Sequence, residues 1–107
     1  MNNTEKIKRS SRNFDAGKLE KIAHILKAIS HPLRLEIVEL LEEKEPQSVA
    51  EILEQIDVEQ SLLSHHLNKM KDKGVLKSYR EGINIYYNLA FKEITKIFDC
   101  MEQCDFL

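Results

Sequence analysis

Residues 60–68 carry the side chains with the clearest recognition chemistry in this chain. Read as a helix, the segment has small and planar polar side chains on one face and leucines on the other. Amide, hydroxyl and imidazole groups can hydrogen-bond to base edges and phosphate oxygens, while a leucine face can pack on a core. The alternative is a solvated helix face with capping serines. We predict DNA contacts by Gln60, Ser61, Ser64, His65 and Asn68.

Further along the chain, basic and amide side chains could bind the DNA backbone, because Lys and Arg neutralise phosphate charge. Surface Lys and Arg are common, so ordinary solvated charges are the alternative explanation. Arg80, at a predicted hairpin tip, is the preferred candidate. The full set is Lys77, Arg80, Asn84 and, at the start of the second predicted helix, Arg34.

The two cysteines, Cys100 and Cys104, are spaced by four residues, so a helix places both thiols on one side. Such a pair could bind a soft ion such as As(III), Cd(II) or Zn(II) with a third ligand from another subunit, or could be oxidised. Packing as small buried hydrophobes is the alternative. His65 and His66 cannot share one ion, because adjacent helical residues point about 100° apart. We expect His66 to pack or cap.

The net charge of −2 is unevenly distributed along the chain. Residues 36–57 contain eight acidic residues and one lysine, whereas residues 59–88 contain five basic and three acidic residues. Residues 1–14 are polar and basic, without an apolar period, and we predict that they form a flexible arm. The acidic region should therefore face away from any phosphate backbone.

The apolar spacing predicts one mainly helical domain over residues 15–107. Pro32 should separate the first two helices, and the Ser48–Glu51 capping box should open a third of about two to three turns. A fourth helix is predicted at about 59–73, ended by Gly74. Two strands, 76–79 and 83–89, should form a hairpin, with Ile83 among its alternating apolar residues. The last helix is predicted at about 91–104.

A short helix, a tight turn, a longer helix and a two-stranded ribbon together indicate a winged helix-turn-helix. In order, the fold is α1-α2-α3-α4-β-β-α5, mainly α with a β-hairpin. In this arrangement the fourth helix would lie in the major groove with its first residues near the bases, and the hairpin would touch adjacent backbone or minor groove.

Three stretches carry a resemblance to a known family: residues 30–38 (SHPLRLEIV), residues 60–67 (QSLLSHHL) and residues 74–76 (GVL). They resemble the ArsR/SmtB transcriptional repressors, and the similarity extends over about residues 16–102. The resemblance implies a homodimer, paired through its first and last helices, that binds a palindromic double-stranded DNA operator. It also implies release from the operator when an inducer binds. A cytoplasmic location is expected separately, because the sequence shows neither a membrane-spanning apolar run nor the apolar stretch of a secretory signal.

Two departures from that family bear on metal binding. Members that sense arsenite or soft metals often carry Cys-Val-Cys-Asp-Leu in the third helix, where this chain has residues 48–52 (SVAEI). Members with zinc across the last helices use Asp and His, where this chain offers Phe91 and Glu93 and, further along, Cys104 and Leu107. We therefore expect neither site, and no cofactor beyond the possible soft ion at the two cysteines.

We expect no enzymatic activity, because the hydroxyls, imidazoles and carboxylates form no recognisable triad or phosphate loop. No apolar run approaches the roughly 20 residues that a membrane span needs. The rival hypothesis is a winged-helix module that binds a partner protein. It is less favoured because the face bearing Gln60, Ser61, Ser64 and His65 lacks the apolar or aromatic anchors of such surfaces.

Overall fold

A computed structural model describes residues 12–107 of the chain. The five predicted α-helices are present, together with three strands and a short 3-10 helix at Lys92–Thr95. The helices are α1 (Ala16–Ile29), α2 (Pro32–Glu43), α3 (Val49–Leu53), α4 (Gln60–Asp72) and α5 (Lys96–Glu102). The strands are β1 (Gln47–Ser48), β2 (Leu76–Glu81) and β3 (Asn84–Leu89). Residues 1–11, which are most of the predicted arm, lie outside the described residues.

Local signals in the sequence set the helix boundaries. Pro32 is in the first turn of α2, where the ring of His31 caps the helix by accepting a hydrogen bond from the backbone N–H of Leu33. The capping box of Ser48 and Glu51 opens α3 with both reciprocal hydrogen bonds. Beyond α4, Gly74 adopts a φ of +83°, so the predicted left-handed termination of that helix is confirmed.

The helices and the sheet enclose one apolar core. Side chains from every helix except α5 are fully or almost fully buried in it, and α4 is its central element. The inner face of α4 contributes Leu63, Leu67 and Met70, and β3 contributes Tyr87 and Leu89. Because α4 is fixed through its leucine face, its opposite face is left available for recognition.

The sheet is antiparallel, in the order β1-β3-β2. The hairpin ladder between β2 and β3 runs without a break from Leu76–Leu89 to Glu81–Asn84. The two-residue strand β1 pairs with Tyr86 and Tyr87 of β3 and was not predicted. It ties the start of α3 to the hairpin, because Ser48 is both the end of β1 and the N-cap of α3.

The structure corrects three boundaries. The hairpin is longer than predicted, and its turn is Gly82–Ile83, so Ile83 lies at the tip and not in the alternating strand. The helix after Ser48 has five residues because the chain turns toward α4 after Leu53. The last helix begins as a 3-10 turn, a tight geometry common at helix N-termini, and its α-helical part is Lys96–Glu102.

Candidate nucleic-acid interface

The predicted recognition face is on the outer surface of α4. The side chains of Gln60, Ser61, His65 and Asn68 are exposed there, and Ser64 is half-buried. Ser61, Ser64, His65 and Asn68 recur at intervals of three and four residues, so they share one face of the helix. The structure therefore brings these predicted contacts together on one surface, which offers hydroxyl, amide and imidazole groups to a ligand.

Arg34 and His66 hold α4 against the start of α2. The Nε of Arg34 donates to Nδ1 of His66 at 2.9 Å, and another guanidinium nitrogen donates to the Ala28 carbonyl at 3.1 Å. The imidazole of His66 also packs against that of His31, with ring centroids 4.5 Å apart. His66 is thus a packing residue, as predicted. Arg34 serves the fold through these two contacts, and a phosphate contact by Arg34 stays a prediction.

The His66 ring is held in its neutral form. Because an Arg N–H can only donate, Nδ1 of His66 must be the unprotonated nitrogen. Burial lowers the pKa of His66 below its ordinary value, and the nearby charges of His31, Arg34 and His65 lower that pKa further. The position of α4 therefore depends on an uncharged imidazole.

The outer end of the recognition face is connected to the sheet by one hydrogen bond. The Tyr87 hydroxyl donates to Oδ1 of Asn68 at 3.3 Å. Burial raises the pKa of Tyr87, which keeps its hydroxyl protonated and able to donate. Since Oδ1 of Asn68 accepts from Tyr87, the amide NH2 is the group of Asn68 suited to donate to a base or phosphate.

A cleft of about 270 Å³ separates the start of α4 from the hairpin. Gln60 and Ser64 line it from α4, and Asn84 lines it from β3. Its remaining lining is apolar: Val49, Ala50, Ile83 and Ile85. Two of the five predicted contacts of α4 and one predicted contact of the hairpin therefore face one concave surface with polar and apolar parts.

The predicted basic contacts of the hairpin are exposed. Lys77 and Arg80 lie on β2, and Arg80 pairs in register with Ile85. On the hairpin, the rings of Tyr79 and Tyr86 stack with centroids 5.4 Å apart. Glu81, next to Arg80, is also exposed and offsets its charge. Sequence reasoning missed the exposure of Ile83 at the tip, although the Gly82–Ile83 pair is itself a turn signal.

The cysteine pair lies on and just after α5, away from the lining of this cleft. Cys100 is exposed and Cys104 is half-buried, and the Cys104 thiol donates to the Cys100 carbonyl at 3.5 Å. Among residues 12–107, no three His, Cys, Asp or Glu side chains are grouped so as to hold a metal ion. A soft ion at Cys100 and Cys104 would therefore need a ligand from outside this part of the chain, and that site stays a prediction.

Within the same described part of the chain, no helix has the length and apolar content needed to cross a membrane.

Comparisons with known proteins agree with this architecture. Residues 31–78 match the family described as "Bacterial regulatory protein, arsR family". An HTH-type transcriptional regulator from Methanocaldococcus jannaschii is 41% identical over 85 residues, which cover 77% of this chain and 96% of that relative. The transcriptional repressor PagR from Bacillus anthracis is 42% identical over 71 residues, which cover 66% of this chain and 71% of PagR.

Solved structures share the fold. The crystal structure of PagR superposes with a TM-score of 0.72 at 36% identity, covering 81% of this chain and 99% of PagR. The solution structure of a homodimeric winged helix-turn-helix DNA-binding domain from Mycobacterium bovis superposes with a TM-score of 0.70 at 26% identity. That alignment covers 90% of this chain and 86% of the domain. The winged helix-turn-helix prediction is confirmed. The chain belongs to the arsR family of bacterial regulatory proteins, and it is a transcriptional regulator rather than an enzyme.

Proposed function

We propose that this protein is a homodimeric repressor that binds a palindromic DNA operator and leaves it when an inducer binds. The first two turns of α4 enter the major groove, and the hairpin contacts the adjacent backbone or minor groove. The exposed polar face of α4 is the observation that carries this proposal. It presents groups that can read bases, while the opposite face of the same helix is locked in the core.

The apolar faces of α1 and α5 support a second copy of this chain as the partner. Of the 14 residues of α1, only Ala28 and Ile29 are buried, and Leu19 and Leu26 are exposed. On α5 no residue is buried, and Met101 is exposed. Apolar faces left uncovered on the first and last helices fit an isologous interface, in which the same patch contributes from each subunit.

A dimer also gives a reason for a palindromic operator. A two-fold axis relates the two copies of α4, and two identical half-sites in the DNA satisfy that symmetry. The acidic residues of α2 and α3 would lie on the side away from the DNA, because their charges repel phosphate. The repressor direction of regulation is supported by the similarity to PagR.

The proposal is tested by selecting duplexes from a random pool with the full chain and titrating them by fluorescence anisotropy at two salt concentrations. We expect tight binding to the selected duplex, weaker binding to a scrambled one, and loss of affinity as salt rises. The double variant Ser64→Ala/His65→Ala should lose the preference for the selected duplex. Glu54→Gln, an exposed substitution on the acidic side, should keep that preference.

Equal and weak binding to the selected and scrambled duplexes would overturn the proposal and favour a protein partner. Sedimentation equilibrium on the free protein tests the dimer separately. A monomer at the concentrations that saturate the duplex would contradict the interface through α1 and α5.

A further inference from the structure

Ile83 has an unusual environment for a large apolar side chain. It is 93% exposed, whereas the exposed leucines of α1, Leu19 and Leu26, are 43% and 47% exposed. Among residues 12–107, only the chain-terminal Phe106 and Leu107 approach it, at 76% and 80%. Ile83 therefore projects into solvent from the hairpin tip, with very little of its surface covered by the rest of the molecule.

The hairpin holds Ile83 in this position. The ladder between β2 and β3 is paired up to Glu81 and Asn84, which directly flank the two-residue turn. Gly82 has a φ of +66°, and Ile83 is not among the residues of positive φ, the pattern of a type II′ turn. The stacked rings of Tyr79 and Tyr86 brace the hairpin further back. The paired strands therefore place Ile83 at the tip of the hairpin, away from the core.

The tip is on the same side of the molecule as the recognition face. Ile83 lines the cleft from the hairpin, opposite Gln60 and Ser64 of α4. In DNA, one sugar-phosphate strand separates the major groove from the neighbouring minor groove. With α4 in the major groove, that strand would pass between α4 and the hairpin, and the tip would extend toward the minor groove.

The apex of the hairpin turn itself carries no charge that could bind a phosphate. Arg80 and Glu81 precede the turn with opposite charges, and the apex itself is glycine and isoleucine. Apolar side chains, isoleucine included, are used by other proteins as wedges against base steps in the minor groove. An exposed and rigidly held isoleucine fits that use better than it fits a contact with charged phosphate.

We propose that Ile83 is a specificity-determining residue that presses as an apolar wedge into the minor groove beside the major-groove site of α4. This inference rests on the proposed DNA-binding function. The wedge favours A·T pairs, because the amino group of guanine projects from the floor of the minor groove at G·C pairs. Sequence preference then extends beyond the bases that α4 contacts.

The test uses the full chain and the duplex recovered by selection, with affinity measured by anisotropy. Ile83→Ser should weaken binding about tenfold, which corresponds to about 1.4 kcal/mol. Ile83→Leu keeps an apolar tip and should stay within about twofold of the wild type, the ordinary effect of a surface substitution. Phe106→Ser, the same kind of change at another exposed site, is the matched control and should also stay within about twofold.

A base analogue then locates the contact. Replacing adenines that flank the α4 site with 2,6-diaminopurine adds an amino group to the minor-groove floor and leaves the major-groove edge unchanged. The wild type and Ile83→Leu should bind this duplex less tightly than the unmodified duplex. Ile83→Ser should bind both duplexes with the same affinity. Thermal unfolding of Ile83→Ser should match the wild type, because the side chain makes almost no contacts within the fold.

Three outcomes would overturn the inference. If Ile83→Ser binds the selected duplex as tightly as the wild type, the tip makes no wedge. If the analogue weakens all variants equally, another group contacts the minor groove. If the wild type selects no duplex at all, the DNA-binding proposal fails together with the wedge, a result distinct from the first two.

Discussion

The Nε of Arg34 donates a 2.9 Å hydrogen bond to Nδ1 of His66 and so connects α2 to the recognition helix. The two residues are 32 positions apart in the chain. The same guanidinium reaches the Ala28 carbonyl near the end of α1, so a single side chain joins three helices. The orientation of α4 therefore depends on a contact made on its inner side, away from the recognition face.

Arg34→Ala should destabilise the protein by about 1.5–3 kcal/mol, the usual range for hydrogen bonds that involve a charged group. The loss arises because Nδ1 of the buried His66 is left without its donor. Urea unfolding at fixed protein concentration measures the effect. Arg80→Ala, at an exposed site on β2, should change the stability by no more than about 0.5 kcal/mol. Equal losses in the two variants would contradict the connecting role of Arg34.

The lowered pKa of His66 predicts that the folded protein loses stability in mild acid. Its pKa in the folded protein is below its ordinary value of 6.5, so the unfolded chain binds a proton more readily. The contribution is fully present above pH 6.5 and is lost as the pH falls toward the lower pKa of the folded state. His66→Asn keeps an acceptor for Arg34 and cannot titrate. The Tm of the wild type should fall more than that of His66→Asn between about pH 7.5 and about pH 5.5. Parallel curves would rule out this contribution.

The salt dependence of DNA binding tests the predicted backbone contacts. Each phosphate neutralised by a protein cation contributes about 0.9 to the slope of log affinity against log salt. Arg80→Ala should therefore reduce the steepness of the slope by about one unit. Lys92→Ala removes a lysine that is 83% exposed and paired with Glu45, and it should leave the slope unchanged. A wild-type slope in Arg80→Ala would exclude a phosphate contact by that residue.

The two thiols should react at different rates. Cys100 is exposed, whereas Cys104 is half-buried and donates to the Cys100 carbonyl, so a disulfide reagent should modify Cys100 first. The variants Cys104→Ser and Cys100→Ser isolate the fast and the slow reaction, respectively. A faster reaction in Cys100→Ser than in Cys104→Ser would contradict the exposures seen here.

The soft-ion hypothesis needs its own experiment, because the described residues supply only two thiols. If As(III) or diamide releases the wild type from its selected duplex, Cys100→Ser/Cys104→Ser should stay bound under the same treatment. Release of both proteins alike would exclude the cysteines as the sensor.

The sequence predicts most of the fold because its signals are local. The extent of α4, the capping box of Ser48 and the termination at Gly74 each follow from a few neighbouring residues. Strand β1 escapes prediction because two residues have no periodicity, and its pairing with β3 is a tertiary contact.

The environments of surface residues are harder to predict, because they also depend on tertiary contacts. The residue type of Arg34 suggests a phosphate contact. The Nε of Arg34 donates to His66, which lies in a helix that is distant in sequence. Ile83 continues the apolar alternation of β3, and only the length of the hairpin turn decides that it projects into solvent. The exposure of the polar face of α4 can be predicted, because neighbours along one helix determine it, whereas the DNA contacts of that face stay a prediction.

The three-stranded sheet has a mechanical consequence. Strand β3 is joined to the start of α3 through β1 and to α4 through the Tyr87–Asn68 hydrogen bond, so hairpin and helices form one stiff body. In a dimer, an inducer would then not need to change the internal structure of either subunit. A small rotation about the proposed interface through α1 and α5 would displace both tips, and the displacement would grow with distance from the rotation axis. The spacing of the two recognition helices would then no longer fit the spacing of the two DNA half-sites. The protein would leave the DNA although each subunit keeps its internal structure.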